Sequence, residues 1–149
     1  MHTGANCANG DAASLCDRSF ATFDAVRKFE VHLPYEVWYN NKSPDHMKAS
    51  TLKVKEALES GALKERDLAN WIHESHALRG ETLSASQLAN EVAMVKDAII
   101  RGETQIPGFT WHHHQETGRM ELIPRWVHDT VKHSGGNSIW PINPAIRER

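Results

Sequence analysis

The pattern of apolar positions between residues 43 and 102 predicts three amphipathic helices. In the third, apolar residues recur every three or four positions, which places them on one helix face; they are Leu88, Val92, Val95 and Ile99. Serine, aspartate or glycine stands where each helix should begin or end, because these residues satisfy or accommodate the terminal backbone groups. The predicted helices run from Ser43 or Asp45 to Gly61, from Ala62 to Gly80, and from Ser84 to Gly102.

The stretch before these helices has a shorter and less regular pattern. Residues 20–28 space their aromatic and aliphatic side chains as a short helix does, whereas residues 29–39 begin with the apolar–polar alternation of a strand. Pro34 cannot donate to a sheet ladder, so this strand is predicted to be an edge strand or to end at the proline. Residues 40–45 have the composition of a loop.

Near the C-terminus the pattern predicts a hairpin followed by a helix. Residues 110–114 favour an extended strand, residues 116–119 contain the glycine that a tight turn needs, and residues 120–123 favour the returning strand. Pro124 suits the start of a helix with the sequence RWVHDTVKHS, and the glycines at 135 and 136 are expected to end it.

These patterns predict an α+β fold with three segments. Residues 1–19 are predicted to be a flexible N-terminal segment, residues 20–104 a mainly helical part, and residues 105–149 a compact strand–turn–strand–helix unit. Apolar residues make up 40% of the chain and charged residues 24%, which is typical of a globular protein. No run of about twenty apolar residues exists to span a membrane, and the first twenty residues lack the features of a signal peptide.

Overall charge does not indicate a nucleic-acid partner. The formal net charge is -2, and a basic surface normally supplies most of the non-specific affinity for a phosphate backbone. In residues 110–149 the positive and negative side chains are nearly equal in number, with five Arg or Lys against four Asp or Glu. A divalent cation bound there would make the local potential more positive.

The histidines are the candidate chemistry, because five of the ten fall between residues 112 and 133. Neutral imidazole is the commonest metal ligand and also transfers protons near neutral pH. His112 and His113 are neighbours on a strand, so their side chains are expected to point to opposite faces. His128 and His133 lie five residues apart, roughly 140° around a regular helix, so His128 is the safer metal ligand and His133 requires the last turn to unwind.

Three short patterns resemble the WHH family of the HNH/endonuclease VII nucleases, which are C-terminal toxin domains of bacterial polymorphic toxins. They are W-H-H on the first strand, G-x-M-x-L-hydrophobic-P on the second, and H-x4-H-S-G-G on the helix, between Thr110 and Trp140. The resemblance implies a ββα-metal fold in residues 105–149 and metal-dependent hydrolysis of phosphodiester bonds, with DNA favoured over RNA. It also implies an immunity protein as partner, and a bacterial origin in a secreted or delivered toxin that acts in the target-cell cytoplasm.

The resemblance assigns roles to the histidines by position. In the colicin-type DNases, the first of two adjacent strand histidines binds the metal, the second is the general base, and the helix contributes two further ligands. Carried over, His112, His128 and His133 are the metal ligands and His113 is the base. Those relatives space the helix pair at i and i+4, so Asp129 is an alternative to His133 as the last ligand.

Other features of the site stay open at the level of sequence. Arg119, Arg125 and Lys132 are candidates to hold flanking phosphates, and His114 has no counterpart in the family pattern. Imidazole ligands suit Zn or Ni, while Mg or Mn is also compatible with a ββα site. Two alternatives remain: an RNA-cleaving toxin domain, and a non-catalytic metal-binding or interaction domain.

Overall fold

The computed structural model of the chain describes residues 23–131 and 140–147, apart from the side chain of Arg147. Its elements are β1 (Phe29–His32), α1 (Tyr35–Tyr39), α2 (Ser43–Ser60), α3 (Glu65–Ala77), α4 (Ala85–Ile100), β2 (Phe109–His113), β3 (Arg119–Pro124), α5 (Arg125–Thr130) and α6 (Pro144–Arg147). The predicted α+β class is confirmed. The predictions for residues 1–19, Lys132, His133 and the glycines at 135 and 136 lie outside the described residues.

The sheet is antiparallel, with the strand order β1-β3-β2. The predicted hairpin is present, because β2 and β3 pair directly across a turn that contains Gly118. This glycine has a φ of 89°, and an added Cβ atom would lie 3.1 Å from the carbonyl oxygen of Leu33 and from the Trp38 ring. The turn therefore needs a residue without a side chain, both for its backbone conformation and for the close approach of the chain before α1.

The three predicted central helices are present, but α3 is shorter than predicted, from Glu65 to Ala77, and the capping of α2 differs. Ser84 caps α4, because its hydroxyl accepts a hydrogen bond from the Gln87 backbone and the Gln87 side chain accepts one from the Ser84 backbone. The prediction that Ser43 or Asp45 caps α2 is wrong. Lys42 occupies the N-cap position, and Asp45 lies in the first turn, where its carboxylate accepts a 3.4 Å hydrogen bond from the Lys42 backbone.

Predictions for two shorter segments near the N-terminus need correction. The described part of the predicted helix at 20–28 is a single turn, closed by a 2.8 Å bond from the Arg27 backbone N–H to the carbonyl of Phe23. The segment at 29–39 is a strand only as far as His32, and α1 follows it. Pro34 explains the change, since its extended backbone and fixed φ of -68° suit the N-cap of a helix.

The C-terminal helix is shorter than the predicted RWVHDTVKHS. It ends at Thr130, and Val131 is extended with φ -106° and ψ 116°. Thr130 and Val131 are both β-branched, and such side chains lose rotamer freedom in a helix and favour extended backbone.

The sheet separates a large core from a small one. On one face, β1, β2 and β3 pack against α2, α3 and α4, and Trp111, Met120 and Leu122 lie in this core. The opposite face carries a smaller cluster of Phe23, Val26, Ile123 and Val127 beneath α5. Segments on both sides of residue 104 thus contribute to the sheet and to each core. Within the described residues, no helix is long and apolar enough to cross a membrane.

Candidate active site

The pairing of β2 with β3 sends the two adjacent histidines to different faces of the sheet. His112 lies opposite Glu121, on the face that α5 covers, whereas His113 lies opposite Met120, on the face that α2 covers. The divergence expected from strand alternation is therefore present. It creates two distinct histidine clusters.

The first cluster joins strand β2 to helix α5. The ring centroids of His112 and His128 lie 5.9 Å apart. His112 is buried, and the His128 side chain is 31% exposed, so the pair opens to solvent on the helix side. Phe23 packs edge-on against His112, with 4.7 Å between ring centroids. Sequence reasoning placed these two histidines in one site, and the structure brings them together.

The spacing of these two rings suits two ligands of one metal ion. Imidazoles that share an ion through bonds of about 2.1 Å have ring centroids roughly 5–6 Å apart. Residues 23–131 and 140–147 contain no group of three or more His, Cys, Asp or Glu side chains that could hold a metal. The remaining predicted ligand, His133, lies outside these residues. The described residues therefore provide two candidate metal ligands, His112 and His128.

The alternative ligand Asp129 lies beside His128 on the short helix. One of its carboxylate oxygens is 3.7 Å from Nδ1 of His128, and the side chain is 65% exposed. Asp129 also lines a cleft between α3 and α5, together with Arg79 and Trp126. The structure does not group Asp129 with His112 and His128 as a three-residue metal site.

The second cluster is a buried pair of histidines. Nε2 of His113 lies 3.2 Å from Nδ1 of His46, and Nε2 of His46 lies 3.0 Å from the carbonyl oxygen of Trp38. Burial and the neighbouring His46 lower the pKa of His113 from 6.5 to about 3. Burial also lowers the pKa of His46, against the opposing effect of the Trp38 and Asn41 carbonyls. Both imidazoles are therefore neutral near pH 7.

Trp140 packs against both imidazoles of this second cluster. The ring centroid of Trp140 lies 4.8 Å from that of His113 and 5.3 Å from that of His46. The Trp111 indole donates a 3.0 Å hydrogen bond to the Thr51 hydroxyl on α2. Helix α2 thus contacts two members of the Trp-His-His triplet through polar side chains. Sequence reasoning missed His46 and Thr51, since nothing in their spacing sets them apart from other helical residues.

Two of the three predicted substrate-binding cations, Arg119 and Arg125, already have protein partners. Arg119 forms ion pairs with Glu30 at 2.8 Å, with Glu116 at 3.2 Å and with Glu121 at 3.4 Å. Arg125 donates from Nη2 to the Gln105 side chain at 2.6 Å and to the Phe109 carbonyl at 2.8 Å. Lys132 lies outside the described residues. His114 accepts a 2.9 Å hydrogen bond from the Glu116 backbone and so helps to close the hairpin turn.

Sequence reasoning also missed a buried carboxylate on the sheet face that carries His112. Glu121 is completely buried and accepts a 2.9 Å hydrogen bond from Arg27. That hydrogen bond is the largest contribution to a raised pKa of the Arg27 guanidinium. Glu121 is the cross-strand partner of His112, so the ion network adjoins the first histidine cluster. The network joins β3 to the chain around β1, a long-range contact that local periodicity does not reveal.

Part of the chain matches a known protein family. Residues 102–141 match the model of the WHH family, described as a nuclease of the HNH/ENDO VII superfamily with conserved WHH. No curated protein matches the chain, and no solved structure matches it. The matched segment contains β2, β3 and α5, and it begins after the three central helices.

Proposed function

Because residues 102–141 match the model of the WHH family, whose superfamily consists of nucleases that hydrolyse phosphodiester bonds, we propose that the chain is a metal-dependent endonuclease toxin domain that prefers DNA. Nucleases of this superfamily generally use a divalent metal ion. The observation that carries the proposal for this chain is the His112–His128 pair, whose ring centroids lie 5.9 Å apart on facing elements. His133 or Asp129 is proposed to complete the site.

Each protein group in this proposal has a defined task. A divalent ion neutralises charge on the phosphoryl and leaving oxygens when it is bound. His112 and His128 would hold that ion, and the burial of His112 against Phe23 restricts its ring. Two imidazoles favour Zn or Ni over Mg or Mn, which prefer oxygen ligands. The family resemblance assigns the general base to His113, although the structure buries this residue on the sheet face opposite the His112–His128 pair. Its Nε2 is bonded to His46, so Nδ1 is the nitrogen that would accept the proton.

Arg125 is the best supported of the proposed phosphate contacts. A guanidinium has five N–H donors, and the bonds to Gln105 and Phe109 use those on Nη2. These bonds fix the orientation of the group at the rim of the cleft that Arg79 also lines. Arg119 and Lys132 are proposed as further contacts, although Arg119 also neutralises the carboxylates around Glu121. The preference for DNA over RNA rests on the family resemblance.

The first test is cleavage with and without a chelator. We expect purified protein to cleave supercoiled plasmid faster than total RNA, and we expect a chelator to abolish cleavage, because the ligand pair alone does not stabilise the phosphoryl charge. Readdition of Zn, Ni, Mn or Mg in separate reactions identifies the ion. Full activity in the chelator contradicts metal dependence. Cleavage of RNA alone supports the RNA-cleaving alternative, and metal binding without any cleavage supports a non-catalytic module.

The proposed biological role is that of a secreted or delivered bacterial toxin with a cognate immunity protein. A nuclease that acts in the target-cell cytoplasm also threatens the cell that makes it. We therefore expect induced expression in bacteria to stop growth, and co-expression of the product of a neighbouring gene to restore it. The double variant His112→Ala/His128→Ala, at the same expression level, is the control and should be tolerated. Normal growth with the active chain alone contradicts the toxin role.

A further inference from the structure

We propose that His46 on helix α2 is a positioning residue that fixes the tautomer and orientation of His113. The inference rests on the proposed role of His113 as the general base, and it assigns a task to a residue outside the segment that matches the family. His46 lies 67 positions before His113, and its side chain is fully buried beside it.

The hydrogen-bond chain determines which nitrogen carries each proton. A carbonyl oxygen can only accept, so the 3.0 Å contact with Trp38 requires a proton on Nε2 of His46. In a neutral imidazole the other nitrogen is then an acceptor, which makes Nδ1 of His46 the acceptor in its 3.2 Å contact with His113. His113 must therefore donate from Nε2. Its Nδ1 is left with the lone pair that a general base needs.

The surroundings of His46 hold this chain of donors and acceptors in one arrangement. Trp140 packs against both imidazoles. On the same helix, five residues further along, the Thr51 hydroxyl accepts the indole N–H of Trp111. Trp111 and His113 lie two apart on one strand face, so α2 contacts that face at two successive inward positions. Rotation of the His113 ring would break a buried hydrogen bond.

A purely structural role for His46 predicts a different result from a positioning role. Two buried imidazoles that only fill space could be replaced by apolar side chains of similar shape at little cost, whereas removal of one partner leaves the other buried without its hydrogen bond. Loss of stability alone therefore does not separate the two roles. The tautomer of His113 and a fall in kcat without a change in KM separate the two roles, because packing alone does not directly change either quantity.

The test compares His46→Leu with His46→Asn, whose amide oxygen can take the place of Nδ1 as acceptor. In the parent protein, ¹⁵N chemical shifts of the imidazole of His113 should show the proton on Nε2 at neutral pH. In His46→Leu we expect this preference to be lost and kcat to fall about 10–100-fold, the size of effect seen when a metal-binding histidine loses the partner that orients it. KM should stay close to that of the parent. His46→Asn should recover most of the tautomer preference and of kcat.

Several outcomes overturn the inference. One is a parent His113 with its proton on Nδ1, a measurement that does not depend on any variant folding. Another is a His46→Leu variant with the parent's tautomer and kcat. If His113 is not the general base, His113→Ala would retain activity, and this result distinguishes failure of the base assignment from failure of the inference about His46. The ¹⁵N shifts would still show whether His46 controls the tautomer in that case.

Discussion

Replacement of His113 with alanine is expected to reduce cleavage about 100–10,000-fold, the usual loss for an acid–base group, while metal affinity stays close to that of the parent. His112→Ala and His128→Ala should instead lose metal affinity and cleavage together, because each removes half of the described ligand pair. This contrast is expected because the sheet places His112 and His113 on opposite faces. His133→Ala should resemble the two ligand variants if His133 completes the site.

Calorimetric titration with Zn or Ni, run beside a plasmid-nicking assay, measures both quantities for each variant. His114→Ala should be nearly silent, since its described side-chain contact only closes the turn. His73→Ala on the exposed face of α3 is the matched control for general effects of losing a histidine. Metal binding that survives in His112→Ala but vanishes in His113→Ala would move the assignment by one residue, with His113 as ligand and His112 or His114 as base.

The parts of the fold that the sequence could predict depend on short-range signals. Apolar spacing identified the three central helices. Ser84 was correctly predicted as the cap of α4, where it exchanges side-chain-to-backbone hydrogen bonds with Gln87 within one turn. The glycine at 118 located the hairpin, whose backbone needs a positive φ there. Strand alternation then separated His112 from His113, and the family pattern indicated that His128 joins His112.

Other parts of the site depend on contacts that no local pattern encodes. Periodicity shows which face of an element is buried, but it does not identify the partner. His46 reaches His113 across 67 positions, and Arg27 reaches Glu121 across 94. The length of α5 was overestimated because the helical pattern of RWVHDTVKHS continued past the point where β-branched residues favour extended backbone.

The buried histidine pair leads to a second large expected effect, the loss of stability in mild acid. The pKa of His113 is about 3 in the folded protein and 6.5 ordinarily, so between these values the unfolded chain binds a proton that the folded chain does not. Stability is therefore fully present above pH 6.5 and is lost as the pH falls toward 3. The loss from this residue reaches roughly 5 kcal/mol, comparable to the whole stability of a small domain.

Urea unfolding of chelator-treated protein at several pH values between 7.5 and 4 measures this loss. Carboxylates also titrate in acid, so the parent must be compared with His113→Asn, which removes the titrating ring and keeps every carboxylate. The variant should be less stable than the parent near pH 7.5, because it loses ring packing against Trp140. Its free energy of unfolding should nevertheless fall less steeply between pH 6.5 and 4. If the free energy of unfolding falls equally steeply with pH in the two proteins, His113 is protonated at no cost in the folded state. Its imidazole is then not held in the buried contact with His46.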